Sequence, residues 1–302
     1  KADALYEKVL EAEQREDFLS VVKITAEVLN YCDQLSQGNS YKKEIAFGAN
    51  QRMGIAKYYL KEYDDAVIYL ERALAVDIEE KESVLNQKLD MWVGLADTYE
   101  QLGNKENRDY YLNLAEKRIH QLENGENRNN AHILDRLYFF YITKNNVLQN
   151  ENHSEEALKH LLKLKLYFDQ AKAFENPQYP AILFQIAKIY YKRHIYHEAA
   201  LFFKQTLNNQ LLQTRFSTVP YIYLFHIYIS ESSFDKALHF SKTLLAAIDQ
   251  FPSTQENKKD KAIILFCIGK IYSFQKQEGE SEKYEKMATE LTPLPVLMEL
   301  YN

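Results

Sequence analysis

The chain has 302 residues, of which 46% are apolar and 26% are charged, and its net charge is −6. This composition is ordinary for a folded chain, so extensive disorder is not expected. The negative balance, without any dense run of Lys and Arg, argues against direct binding to nucleic acid. No apolar segment approaches the roughly 20 residues that cross a bilayer, so no membrane partner is expected.

Two features favour a cytoplasmic location. The N-terminal residues lack the pattern of a secretory signal peptide. Cys32 and Cys267 are far apart and have neither metal-binding nor redox spacing, so we expect free thiols in a reducing compartment.

Seven helix pairs are predicted, because Gly and Pro number only 8 and 6 and apolar residues recur at helical spacing. In chain order the pairs lie near 2–35, 47–80, 89–122, 131–171, 180–213, 218–251 and 262–295. The first pair is degenerate and the third is the clearest, with Trp92, Leu95, Ala96, Tyr99, Leu102, Gly103, Leu112 and Ala115. The fifth is nearly as regular, with Leu183, Ile186, Ala187, Tyr190, Tyr196, Ala199 and Phe203.

Small residues at fixed places explain why such helices pair closely. On the first helix of a pair they include Gly54, Ala96, Ala187 and Gly269, and on the second Ala66, Ala199 and Ala237. Large residues three or four positions away fill the adjoining gaps. In the third pair, Arg108 replaces the small residue of the second helix.

The spacing of the copies predicts long connections. Tyr190 and Tyr228 are 38 residues apart, and Tyr228 and Tyr272 are 44 apart. Residues 124–130, 145–154 and 252–259 are polar and rich in turn formers, so they are predicted to be these connections. Of these, 145–154 is predicted to be a lengthened turn inside the fourth pair.

The pattern resembles the tetratricopeptide (TPR) repeat, whose usual period is about 34 residues. The resemblance implies an all-α fold: one TPR-type right-handed superhelical solenoid of about seven helix pairs over 1–302. In such arrays the first helix of each pair lines a concave face that receives a partner.

Stretched TPR repeats in a cytoplasmic context resemble the peptide-sensing regulators of Gram-positive bacteria, the Rap–Rgg–NprR–PlcR–PrgX group, and the NprR and PlcR types most. The resemblance implies a quorum-sensing transcription regulator that binds a short signalling peptide in its concave groove and changes conformation or oligomeric state. It also implies a homodimer, and DNA binding only through an N-terminal helix-turn-helix domain preceding Lys1. Family grooves commonly use Asn on the first helix, whereas the matching positions here include Arg52, Arg136 and Gln185.

Groove candidates are the residues of the first helices that lie off the packing positions. An extended peptide needs amide partners, side-chain pockets and a cation for its carboxylate. Arg52 and Arg136 are the best candidates for the carboxylate, because a planar guanidinium binds it bidentately. The full predicted set is Arg52, Tyr59, Asp97, Arg136, Phe139, Gln185, Lys188, Tyr191, Tyr223, His226 and Lys270.

No catalytic fingerprint is present, so an enzyme is not expected, and neither is a cofactor. His194 and His197 lie at a predicted turn without a third ligand nearby, which favours a structural role over a metal site. Two alternative functions stay open: a TPR scaffold or co-chaperone for a protein partner, and a Rap-like regulator of a phosphorelay response regulator. An apolar C-terminal stretch containing Leu294, Val296, Leu297, Leu300 and Tyr301 is predicted either to cap the last repeat or to form a dimer contact.

Overall fold

The computed structural model describes residues 2–35, 40–125, 129–212, 217–251, 254–293 and 295. These residues form fourteen α-helices and no strand, which confirms the all-α prediction. The helices are α1 (Ala2–Gln14), α2 (Phe18–Asp33), α3 (Ser40–Tyr59), α4 (Tyr63–Leu74), α5 (Glu82–Gln101), α6 (Lys105–Asn124), α7 (Ala131–Asn150), α8 (Ser154–Gln170), α9 (Tyr179–Lys192), α10 (Tyr196–Leu212), α11 (Val219–Ser230), α12 (Phe234–Ile248), α13 (Gln255–Phe274) and α14 (Glu278–Leu291). None of the helices in these ranges is long and apolar enough to cross a membrane. The chain divides into two compact units, 1–153 and 154–302.

In the first unit each helix packs on the next, and the first helices of successive pairs, α3, α5 and α7, also pack on one another. Its core is built around buried residues such as Leu70, Met91 and Leu95. Gly54 of α3 faces α4, where an added Cβ would lie 2.6 Å from Leu70 Cγ. The small residue is therefore required by the close approach of the two helices.

The second unit is built in the same way, with each of α8 to α14 packed on its neighbour in sequence. One continuous core contains the fully buried small residues Ala187 and Ala199 together with large ones such as Phe203 and Phe225. Gly269 of α13 repeats the situation of Gly54, because a Cβ there would lie 3.2 Å from the Ser281 carbonyl oxygen of α14.

The predicted pairs share one backbone turn. Two residues after the end of each first helix lies a residue with positive φ, and these are Glu16, Lys61, Gly103, Asn152, His194, Ser232 and Lys276. At each site the next amide donates to a carbonyl five residues earlier, as Glu62 N does to Lys57 O at 2.9 Å. This is the Schellman arrangement, which normally favours glycine at the positive-φ position.

Two predicted connections and three predicted helix starts differ from the structure. The segment 145–154 is not a lengthened turn, because α7 continues to Asn150 and buries Asn145 completely. Likewise, α13 begins at Gln255, so most of 252–259 is helical where it is described. The first helices of the second, third and seventh pairs begin seven residues before the predicted repeats. At these three starts the helix begins on a polar residue, so apolar periodicity does not reveal where it begins.

Other predictions have no test in this structure. That all repeats form one continuous solenoid stays a prediction, since each of the two compact units is described by itself. The residues predicted for the apolar C-terminal stretch lie outside the described part of the chain.

Arg108, the unusual large residue of the third pair, is buried at 2% exposure and ion-paired on several sides. Its guanidinium contacts Glu100 at 2.7 Å, Asp109 at 2.7 Å and Glu151 at 2.8 Å. Burial by itself raises the pKa of Glu100, but hydrogen bonds from Arg108 and Asn150 outweigh burial and lower it overall. The arginine thus occupies a place where other pairs carry alanine, and it ties α6 to the ends of α5 and α7.

Candidate functional site

A groove in the first unit is lined by α3, α5 and α7, the first helices of three successive pairs. We call it the α3–α5–α7 groove. It encloses a cavity of about 570 Å³ whose wall includes Ile55, Asp90, Asp97, Arg136 and Phe139. A second cavity of about 620 Å³ shares Ile55, Tyr59, Asp90 and Arg136 with the first and extends to α1 and α2. The two cavities therefore form one elongated trough.

Apolar side chains stand exposed along this trough. Tyr59 is 58% exposed, Phe139 is 56% exposed and Ile55 is 39% exposed. Tyr59 is held in place by stacking on Phe18, with ring centroids 4.4 Å apart. Exposed aromatic and aliphatic side chains inside a concave surface are typical of a binding site, since an apolar ligand group would remove them from water.

Arg136 lies in the middle of the trough and is already paired. Its Nη2 donates to Asp90 Oδ2 at 3.2 Å, and its Nη1 donates to the His132 carbonyl oxygen at 3.0 Å. Its buried Nε makes no hydrogen bond within the described part of the chain. Two hydrogen bonds therefore fix the guanidinium in position.

Arg52 is also paired within the chain. Its guanidinium forms an ion pair with Glu13 of α1 and lies 5.7 Å from the centre of the Tyr6 ring. The two arginines predicted to receive a ligand carboxylate thus both contact carboxylates of their own unit. An incoming carboxylate would have to compete with these acids.

The acids of the groove are desolvated by its walls. Burial raises the pKa of Asp90 to about 6, although Arg136 opposes the effect. Burial also raises the pKa of Asp97, against the influence of a hydrogen bond donated by the Tyr58 hydroxyl. Asp90 keeps 40% of its side-chain surface exposed, so protein covers most of the side chain and the remainder faces the groove.

In the second unit three predicted residues meet in an aromatic cluster. The Tyr191 and Tyr223 rings lie 5.0 Å apart, and Tyr223 stacks on the buried Phe203 at 5.1 Å. Lys188 Nζ lies 5.6 Å from the ring centre of Phe184, which contacts Tyr223. Burial, together with Lys192, lowers the pKa of Lys188.

The remaining predicted residues do not all join this cluster. Gln185 and His226 are half-buried on α9 and α11. Lys270 Nζ contacts Glu285 of α14 at 3.0 Å and lies 4.7 Å from the Phe266 ring centre, so it is engaged between α13 and α14. The structure thus brings Arg52, Tyr59, Asp97, Arg136 and Phe139 together in the first unit, and Lys188, Tyr191 and Tyr223 in the second.

Sequence reasoning missed Asp90, Ile55 and Glu13. A signal for Asp90 was present, because it precedes Asp97 by seven residues and therefore lies on the same face of α5. Glu13 gave no such signal, since its pairing with Arg52 joins residues 39 positions apart.

Within the described ranges no group of three potential metal ligands is found. His194 occupies a positive-φ turn position, and its Nδ1 lies 2.9 Å from the Tyr196 hydroxyl.

Comparison with known proteins gives fold information only. No protein-family model matches the sequence, and neither does any curated protein. Among solved structures, the C-terminal part of a TPR repeat-containing protein from Cytophaga hutchinsonii is similar with a TM-score of 0.60 and 12% identity, covering 98% of this chain and 99% of that one.

Two further structures are similar over most of their length. Aspartyl phosphate phosphatase F from Bacillus subtilis has a TM-score of 0.55 at 12% identity, covering 97% of this chain and 94% of its own. A Rap protein complexed with competence and sporulation factor has a TM-score of 0.51 at 13% identity, covering 98% and 88%. The chain therefore has the all-helical fold of TPR repeat proteins.

Proposed function

We propose that the chain is a peptide-binding sensor of a cytoplasmic quorum-sensing regulator, and that the α3–α5–α7 groove receives the signalling peptide. One observation carries the proposal: α3 and α7, two of the three first helices that line the trough, leave Ile55, Tyr59 and Phe139 exposed inside it. Scattered exposed apolar residues need no explanation, but aromatic residues gathered in a concave surface do.

The groove has the chemistry that an extended peptide requires. The aromatic and aliphatic residues provide contacts for apolar side chains. Gln51, Gln87 and Asn146 line the same connected cavities and carry amides that pair with a peptide backbone.

The regulatory part of the proposal is supported by analogy. The Rap protein with the same fold was solved in complex with competence and sporulation factor. A ligand that contacts α3, α5 and α7 together would favour one relative position of these helices, and so shift the population of conformers or of homodimers. DNA binding would require a domain other than these repeats.

The binding proposal is tested by fluorescence anisotropy with a labelled hexapeptide library, comparing Phe139→Ala with Tyr110→Ala. The two aromatic residues are matched, because Phe139 is 56% exposed in the groove and Tyr110 is 58% exposed on α6. Losing a ring that the ligand covers is expected to weaken binding about tenfold or more. Tyr110→Ala should leave affinity unchanged.

Equal affinities for wild type and Phe139→Ala would refute the placement of the peptide. Failure of every peptide to bind, with stable capture of a folded partner instead, would favour the scaffold alternative. Light scattering with and without the selected peptide tests the proposed change in oligomeric state.

A further inference from the structure

The first unit carries most of the negative charge of the chain. Residues 1–153 contain 27 Asp and Glu against 19 Lys and Arg, a net charge of −8, whereas residues 154–302 contain 16 against 18. A cleft with a charge of one sign concentrates ligands of the opposite sign and accelerates their association.

The groove itself has the same excess of acidic over basic residues. The wall of its 570 Å³ cavity carries Asp90, Asp97 and Asp135, while Arg136 is its only Lys or Arg among the described lining residues. Arg136 is committed to Asp90 by an ion pair at 3.2 Å. Two carboxylates therefore remain without a cationic partner in the described part of the chain.

These two acids lie on different walls. Asp97, on α5, accepts a hydrogen bond from the Tyr58 hydroxyl and contacts no cation among the described residues. Asp135, on α7, forms no ion pair or hydrogen bond in the described ranges and lies one turn before Phe139. A carboxylate that faces a partly desolvated groove without a counter-charge is costly, and a ligand cation removes that cost.

The apolar residues of the groove suit the same ligand group. Lys and Arg side chains pack their methylene stems on apolar surfaces and place their charge beyond them. The exposed rings of Tyr59 and Phe139 also attract a cation toward their faces. The wall thus combines acids and rings, which is the surface that a basic side chain covers best.

Building on the peptide-binding function, we propose that the α3–α5–α7 groove selects a peptide carrying a Lys or Arg side chain, whose cation is bound by Asp97 and Asp135 beside Phe139. The preference is thus opposite to a site that selects an acidic ligand through Arg52 and Arg136. These arginines serve to hold Glu13 and Asp90 in place and to shape the groove.

The test uses three labelled hexapeptide libraries, one each for Arg, norleucine and Glu. Within a library that residue is placed at each position in turn, and the other positions are uncharged. Binding is measured with wild type and with the double variant Asp97→Asn/Asp135→Asn. Asparagine keeps the shape of each side chain and an oxygen that accepts from Tyr58. The control is Asp64→Asn, which alters an exposed acid of α4 outside the groove.

For wild type and the control, replacing Arg by norleucine in the best peptide is expected to reduce affinity about tenfold, the effect of one charge-assisted contact. In the double variant the same replacement should have less than a twofold effect. Raising the salt concentration should weaken the Arg peptide and leave the norleucine peptide unchanged.

A best peptide with Glu at the fixed position, or an equal loss from norleucine in wild type and double variant, would overturn the charge preference. Another outcome is that norleucine peptides bind wild type but not Phe139→Ala, while Arg peptides bind wild type no more tightly than norleucine peptides do. In that outcome the groove is a peptide site, but the preference for a basic residue is wrong. Absence of binding by all three libraries would reject both proposals.

Discussion

Gly54→Ala is expected to destabilise the first unit, although alanine is the better helix former. The added Cβ would lie 2.6 Å from Leu70 Cγ and 3.1 Å from the Leu70 backbone nitrogen. Leu70 is 2% exposed and has little room to move. Overpacking of this kind costs about 1–3 kcal/mol, and the helix propensity of alanine offsets about 1 kcal/mol. We therefore expect a net loss of about 1 kcal/mol in the free energy of unfolding.

Gly94→Ala provides a matched control on the neighbouring helix. An added Cβ at Gly94 would lie 3.9 Å from Leu70 Cδ1, which is ordinary van der Waals contact. Only the propensity gain applies there, so this variant should be stabilised by about 1 kcal/mol.

The assay is urea unfolding followed by fluorescence of Trp92. It is the single tryptophan of the chain and lies on α5, so it reports on the first unit. The two midpoints should move in opposite directions. Equal midpoints for Gly54→Ala and Gly94→Ala would show that α3 and α4 do not approach as closely as described.

Two further predictions concern charged groups of the same unit. Arg108→Ala should lower the free energy of unfolding by about 3 kcal/mol, because it leaves Glu100 and its neighbours uncompensated; Arg72→Ala, at an exposed site, should cost less than about 0.5 kcal/mol in the same urea assay. Asp90 should titrate near pH 6 in carboxyl NMR. Asp90 holds its proton more tightly in the folded protein than in the unfolded chain. Its contribution to the free energy of unfolding is therefore complete below about pH 4 and is lost as the pH rises through 6. Arg136→Ala should raise that pKa further.

Each of these two predictions has a result that would contradict it. Similar stabilities of Arg108→Ala and Arg72→Ala would mean that the buried ion pairs contribute nothing. An Asp90 midpoint close to the value of an exposed aspartate would mean that the groove wall does not desolvate it.

The sequence predicted the helix pairs because close packing leaves a local trace. Ala66, Ala96 and Ala187 are each fully buried, and Gly54 is required by its contact with Leu70. Such positions recur at fixed offsets within a pair, so they are visible without any knowledge of distant contacts. Helix ends were less visible. Polar residues such as Asn145 satisfy a turn pattern and a helix equally well.

The groove was predictable in part. Tyr59, Asp97 and Phe139 could be identified as residues on the open faces of first helices, and they do line one trough. The engagement of Arg52 and Arg136 could not be identified. Each pairs with an acid on another helix, and such pairing depends on how three helices pack rather than on any local pattern.

The positive-φ turns have a mechanical consequence. Six of the seven positive-φ residues that follow the first helices carry a side chain, which restricts the backbone conformations available there and stiffens the bend. Gly103 lacks that restraint, and the Arg108–Glu100 ion pair spans it from one side to the other. The flexibility of the backbone at Gly103 therefore depends on a salt bridge. Acid strong enough to protonate Glu100 would remove this ion pair and loosen the bend at Gly103.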